Sequence, residues 1–134
     1  MAFPKFRIEE KEEVGIIQGR RAASLPEWRV AKALWKIKVP FRYQVSFFGG
    51  RRLKGGQVVD FVVTQPPTDD LVFVDGEYWH GSASQRERDA FKRLMLQSKL
   101  AGRINWPPIV WTGGDLATQD QADRLVLNAF GGGG

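Results

Sequence analysis

The sequence lacks cysteine altogether, has a single histidine and contains no long apolar run. Without cysteine it cannot form disulfide bonds, thiolate zinc sites or a cysteine nucleophile. No segment approaches the roughly 20 apolar residues needed to span a bilayer, and residues 1–13 lack the apolar stretch of a signal peptide. We therefore expect a cytoplasmic protein that has no membrane partner.

Acidic residues are scarce between residues 20 and 54, where Glu27 is the only carboxylate and ten residues are basic. The whole chain carries a formal net charge of +5. A positive field of this kind attracts the phosphate backbone of nucleic acids, although a solvated basic face has the same composition. The charge distribution thus makes DNA a candidate partner.

The chain of 134 residues has the length of one domain. We interpret residues 1–23 as an N-terminal arm, residues 24–130 as the folded domain and residues 131–134 as a flexible glycine tail. Within the domain, helix, three strands, helix, strand and helix follow one another. This order predicts an α/β fold with a mixed central sheet of about four strands flanked by helices.

Three helices have start signals in the sequence. Ser24 with Glu27 forms a capping box before the first helix, and Pro26 suits its first turn. Thr118 with Gln121 opens the last helix in the same way. Ser84 and Glu87 form another capping box, which predicts a middle helix ending near Leu100. We expect the buried face of this middle helix to carry Phe91, Leu94, Met95 and Ser98.

Strands are predicted at residues 41–48, 57–64, 71–75 and 109–112. Two pairs of residues, Pro66-Pro67 and Asp69-Asp70, indicate a turn before the third strand. The first three strands should therefore form a meander.

Asp60 interrupts the otherwise apolar strand VVDFVV. Burying a carboxylate costs several kcal/mol unless it is paired or bound to a cation. A metal ligand would explain this residue, and a structural ion pair or a position at the end of the sheet is the alternative.

Asp75 ends the next apolar strand and is followed by Gly76 and Glu77. If the two strands pair as a hairpin, Asp60 and Asp75 meet at one edge, where a divalent cation would offset their repulsion. We therefore expect Mg²⁺, for which Mn²⁺ can substitute, to bind there. The alternative is that Asp75-Gly76 is only a turn.

His80 is the only histidine and follows this acidic segment directly. An imidazole can serve as general acid or base at neutral pH, whereas a histidine beside Tyr78 and Trp79 can also be a packing residue. Asp89 lies in the middle helix among basic residues, where a surface ion pair is the ordinary explanation.

Residues 24–130 resemble the very-short-patch-repair endonuclease-like branch of the PD-(D/E)xK nuclease superfamily. They are also similar to homing endonucleases that carry the EDxHD motif. The likeness rests on the segments SLPEWRVAKAL, VVDFVV, VFVDGEYWHG, RERDAFKRL and PIVWTGGDL. It implies a restriction-endonuclease-like core, Mg²⁺-dependent cleavage of DNA and a bacterial or phage origin.

The resemblance also implies roles for individual residues. Glu27 corresponds to the helix glutamate of the motif, Asp60 to its metal-binding aspartate, His80 to its histidine and Asp89 to its final aspartate. The main-chain carbonyl of Val74 is implied as a further metal ligand, beside Asp60 and Asp75.

Two features of the superfamily are missing from this sequence. The lysine of its usual signature has no counterpart, because the aligned triplet is Asp75-Gly76-Glu77. The cysteine–histidine zinc site of the repair enzymes is also absent, so the resemblance does not imply mismatch repair.

These observations predict a metal-dependent DNA endonuclease. Its candidate catalytic residues are Glu27, Asp60, Asp75, Glu77, His80 and Asp89. The basic residues expected to hold the DNA backbone are Arg42, Arg51, Arg52, Lys54 and Arg88.

Two other functions remain open. A Holliday-junction resolvase acting as a homodimer would use the same acidic residues on a branched substrate. A non-catalytic DNA-binding module with a degenerate nuclease fold would keep the basic residues and tolerate loss of Asp60.

Overall fold

Three helices and a four-stranded mixed sheet make this an α/β protein, as the order of elements in the sequence predicts. The structure, a computed structural model, describes residues 12–49, 56–75 and 83–131, and only the backbone of residues 83–86 and 89. No helix within these ranges is long and apolar enough to cross a membrane.

The elements in chain order are β1 (Ile16–Ile17), β2 (Arg20–Arg21), α1 (Leu25–Lys36), β3 (Phe41–Phe47), β4 (Gln57–Gln65), β5 (Thr68–Asp75), α2 (Ala83–Lys99), β6 (Ile109–Thr112) and α3 (Gln119–Phe130). The strands of the main sheet lie in the order β3-β4-β5-β6, and β1 and β2 form a separate two-stranded hairpin. The pairs β3-β4 and β4-β5 are antiparallel, and β5-β6 is parallel, because the chain crosses back between these two strands through α2.

The predicted N-caps of the first and last helices are confirmed. The Ser24 hydroxyl accepts the main-chain N–H of Glu27 at 3.3 Å, and Pro26 lies in the first turn. Thr118 accepts the N–H of Gln121 at 3.1 Å. These bonds satisfy main-chain donors that have no partner within the helix.

The predicted turn at Asp69-Asp70 is wrong, since β5 already begins at Thr68 and contains both residues. The turn is confined to the two prolines before it. Main-chain bonds to the segment after α2 hold Asp69 extended: its N–H donates to the carbonyl of Arg103 at 3.1 Å.

The prediction for α2 is wrong in two respects. The helix begins at Ala83, so Ser84 lies inside it and is not its N-cap. Its buried side carries Leu96, and Leu100 is buried just after its last residue, whereas Phe91 is 62% exposed and Leu94 is 53% exposed. Of the other two residues predicted for the buried face, Ser98 is exposed and Met95 is half-buried. Apolar residues lie on opposite sides of this helix, and periodicity alone does not tell which side meets the sheet.

Two cores cover the two faces of the sheet. The first core packs α1 and α3 against one face, and its strand residues include Phe61, Val63 and Val72. The second core packs α2 against the other face through Val62 and Phe73.

The β1-β2 hairpin belongs to the first core, although its residues lie in the segment that the sequence assigns to an N-terminal arm. Ile17 is fully buried and Ala22 is 5% exposed. Gln18 covers the edge of β3, where its side-chain amide donates to the carbonyl of Phe41 at 2.7 Å and accepts the N–H of Tyr43 at 3.0 Å. The core therefore extends at least as far towards the N-terminus as Ile17.

Replacing Ile17 with alanine should lower the free energy of unfolding by about 2–5 kcal/mol, since it removes a fully buried side chain. Urea unfolding followed by tryptophan fluorescence measures this change. The matched control is Ile16→Ala in the same strand, where the side chain is 57% exposed and the change should stay within about 0.5 kcal/mol. Equal effects at the two positions would contradict the packing of the hairpin.

Candidate functional site

The main sheet separates between β4 and β5 at Asp60. Main-chain pairing of these strands runs from Gln65 opposite Thr68 to Phe61 opposite Val72. Beyond that point β4 continues alongside β3, and β5 continues alongside β6. The Asp60 carboxylate spans the opening, where its Oδ2 accepts the N–H of Val74 at 2.8 Å.

The side chains of β3 and β4 change faces at this same level. Phe61 packs in the first core, but Val59, two residues away, packs in the second core. In β3, Tyr43 belongs to the first core and Val45 packs against the second. A regular strand would keep each of these pairs on one face, so both strands twist sharply here. Gln44, opposite Asp60, has a left-handed backbone with a φ of 54°.

Glu27 is the only charged residue that is buried among those that the structure describes, with 7% of its surface exposed. Its Oε2 accepts the Ser24 hydroxyl at 2.9 Å, and its Oε1 accepts the Tyr43 hydroxyl at 2.6 Å. The Gln44 amide donates to the same Oε1 at 3.0 Å. These bonds satisfy a carboxylate that would otherwise be costly to bury.

The Tyr43 hydroxyl both accepts and donates a hydrogen bond in this cluster. It accepts the N–H of Ala23 at 2.9 Å while it donates to Glu27. Burial, and next the hydrogen bond to Glu27, raise the pKa of Tyr43, so the phenol stays protonated over the physiological range.

Asp60 is half-buried, and the charges of two other carboxylates act on it. Burial raises the pKa of Asp60 to about 6; the Val74 N–H opposes the rise, and the negative charges of Glu27 and Asp75 add to it. A smaller lowering comes from the positive charge of Arg93. The bond to Val74 places Asp60 beside the residue that precedes Asp75, and the meeting of the two carboxylates at a metal site stays a prediction.

Asp75 ends β5 and is held by a cation from α2. Arg93 Nη2 lies 2.9 Å from Asp75 Oδ1, and its guanidinium group stacks over the Phe73 ring at 4.0 Å. The Asp75 side chain is 45% exposed and that of Arg93 is 26% exposed, so the pair is accessible from solvent.

The carboxylates lie between two open cavities. A cavity of about 250 Å³ on the α2 side is lined by Asp60, Lys92 and Arg93. A cavity of about 530 Å³ on the α1 side is lined by Glu27, Asp75 and Gly113. In the described part of the chain, no three acidic or histidine side chains come together closely enough to surround one metal ion.

The other predicted residues are distributed around this site or lie outside the described ranges. Arg42 on β3 and Arg88 on α2 are exposed. Asp89 lies on α2, where only its backbone is described. The residues outside the described ranges are Glu77, His80, Arg51, Arg52 and Lys54.

Sequence reasoning missed Gln44, Tyr43 and Arg93. Gln44 and Tyr43 lie in an alternating strand, where a polar residue ordinarily faces solvent. Strand register would have identified Gln44, because pairing Tyr43 with Phe61 places Gln44 opposite Asp60. Arg93 is one of several basic residues on α2, and no local pattern distinguishes it from the rest.

Comparisons with known proteins do not assign this site. No family model, no curated protein and no solved structure matches the chain. The function has therefore to be inferred from the residues themselves.

Relative to wild type, Asp60→Asn should gain stability as pH rises from about 4 to 7 when a chelator removes metal ions. Folding raises the pKa of Asp60 from its ordinary 3.8 to about 6, so its ionisation weakens the folded state as pH rises through that interval. Above about pH 6 the ionisation of Asp60 lowers the free energy of unfolding of wild type by about 3 kcal/mol, and below about pH 4 it has no effect.

Urea unfolding of both proteins at several pH values between 4 and 8 measures the difference in stability. Asp70→Asn, which changes a carboxylate near the start of β5, is the matched control. A difference between wild type and Asp60→Asn that does not grow over this range would show that the Asp60 carboxylate is not held in a half-buried position.

Proposed function

We propose that this protein is a metal-dependent DNA endonuclease that hydrolyses phosphodiester bonds and has a restriction-endonuclease-like core. The observation that carries the proposal is the half-buried Asp60 carboxylate, which shares the Gln44 amide with buried Glu27 and accepts the N–H of Val74, the residue before Asp75. Carboxylates that repel one another are unfavourable in a folded protein, and a divalent cation is the usual compensation.

The donor set suits Mg²⁺, with Mn²⁺ as a substitute. Asp60, Asp75 and the main-chain carbonyl of Val74 offer the oxygen ligands that these hard cations prefer. Few protein ligands are needed, because Mg²⁺ retains waters and takes further oxygens from a substrate phosphate. When bound, the cation supplies charge neutralisation at the scissile phosphate and a water of lowered pKa.

The protein's own groups orient and balance this acidic site. The N–H of Val74 fixes the orientation of the Asp60 carboxylate at 2.8 Å. Arg93 holds Asp75 and lines the cavity beside Asp60 together with Lys92. The positive charges of the Lys92 and Arg93 side chains at this cavity favour the approach of a phosphate, which the carboxylates alone would repel.

Proton transfer is assigned to His80, as the sequence resemblance implies. In this proposal His80 acts as general base or protonates the leaving group, and Asp89 orients it. Glu77 adds a carboxylate to the metal-binding segment. Arg42 and Arg88, which are exposed, would contact the DNA backbone together with Arg51, Arg52 and Lys54.

A Holliday-junction resolvase that acts as a homodimer is a second candidate. The observation that favours it is the exposure of Phe91 and Leu94 on α2, on the side of the helix opposite to buried Leu96 and Leu100. Exposed apolar side chains of this kind are a surface that a dimer would bury.

A cleavage assay with purified protein tests the proposal. Labelled linear duplex, mismatched duplex, single strand and four-way junction are offered side by side with Mg²⁺, with Mn²⁺ and with chelator. We expect metal-dependent cleavage by wild type and a loss of more than about a hundredfold in Asp60→Asn, since even residues that only support metal ligands cost 10–100-fold. Asp70→Asn is the matched control and should cleave like wild type.

The preferred substrate distinguishes the candidates. Selective cutting of the four-way junction, together with a dimer in sedimentation velocity, would favour the resolvase. If wild type and Asp60→Asn bind DNA equally and neither cuts any substrate, the protein is a binding module and the proposed activity is wrong.

A further inference from the structure

Gln44 occupies an unusual position in the middle of β3. Pairing of Tyr43 with Phe61 and of Val45 with Val59 places Gln44 directly opposite Asp60. Its φ of 54° is in the left-handed region, which is unfavourable for a residue with a Cβ atom. Such a conformation persists only where surrounding contacts compensate for it.

The Gln44 side chain makes those contacts with two carboxylates. Its Nε2 donates to Glu27 Oε1 at 3.0 Å and to Asp60 Oδ1 at 3.1 Å. An amide nitrogen has two hydrogens, so both are used on anions. Within the described residues, this amide is the only group that bonds to both carboxylates.

Each carboxylate presents one oxygen to the amide and keeps the other in a separate bond. Glu27 Oε2 accepts the Ser24 hydroxyl, and Asp60 Oδ2 accepts the N–H of Val74. Glu27 Oε1 accepts the Tyr43 hydroxyl as well as the amide, whereas Gln44 is the hydrogen-bond donor to Asp60 Oδ1 among the described residues. This Asp60 oxygen is therefore the one that a cation could take over from the amide.

We propose that Gln44 is a positioning residue whose amide ties Asp60 Oδ1 to Glu27 in the metal-free protein, and that this oxygen exchanges the amide for a divalent cation when the metal binds. This inference rests on the proposed function, since it concerns the same acidic site. It adds that the amide and the cation compete, so that Gln44 sets the affinity of the site for metal.

Two substitutions of Gln44 should change the affinity for metal in opposite directions. Both keep an unbranched side chain at the position with a φ of 54°. Gln44→Met has similar length and no donor, so the two charge-assisted bonds of the metal-free protein are lost. Gln44→Lys places an ammonium group beside Glu27 and Asp60, where it competes with the cation for the Asp60 carboxylate more strongly than the amide does. Gln65→Met, at the far end of β4, is the matched control.

The experiment measures Mn²⁺ binding by electron paramagnetic resonance and thermal unfolding in chelator. We expect Gln44→Met to unfold at a lower temperature in chelator and to bind Mn²⁺ about tenfold more tightly than wild type. Gln44→Lys should unfold at a higher temperature in chelator and bind Mn²⁺ at least about a hundredfold more weakly. Gln65→Met should bind Mn²⁺ like wild type.

The inference is overturned if Gln44→Met binds Mn²⁺ as wild type does or more weakly, or if Gln44→Lys keeps the wild-type affinity. If wild type binds Mn²⁺ and cleaves DNA in the same experiments, the proposed function stands and only the role of Gln44 is wrong. If wild type binds no Mn²⁺ and cuts no DNA, both the inference and the proposed function fail.

Discussion

The hydrogen bond from the Val74 N–H to the Asp60 carboxylate is the interaction on which the site depends. Where β4 and β5 separate, a main-chain donor of β5 loses its strand partner, and an unpaired buried donor is costly. Asp60 supplies the missing acceptor at 2.8 Å. One carboxylate oxygen thus completes the sheet, while the other is left facing Gln44 and Glu27.

This arrangement places carboxylates at the opening of the sheet, which is unfavourable for the folded state. Glu27 is buried from the α1 side, and Asp75 is held from the α2 side by Arg93. Burial, and to a smaller extent the negative charges of Glu27 and Asp75, raise the pKa of Asp60 to about 6. Perturbed carboxylates of this kind cluster at functional sites, where a ligand offsets the cost.

Local sequence signals predicted much of the fold. The caps at Ser24 and Thr118 determined two helix starts, because a capping bond involves only residues within one turn. The interruption of an apolar strand identified Asp60 without any knowledge of its neighbours. The same kind of signal failed for α2, where Phe91 and Leu94 on one side compete with Leu96 and Leu100 on the other.

The sequence by itself determined the α/β order of elements, the strand that carries Asp60 and the helix turn that carries Glu27, because these follow from periodicity and capping within short segments. Only the tertiary structure decided which face of α2 is buried, that Ile17 joins the first core and that Gln44 meets both carboxylates. Each of these depends on strand register or on packing between distant segments. A shift of register by one residue turns every side chain of a strand to the other face, and no local pattern determines that register.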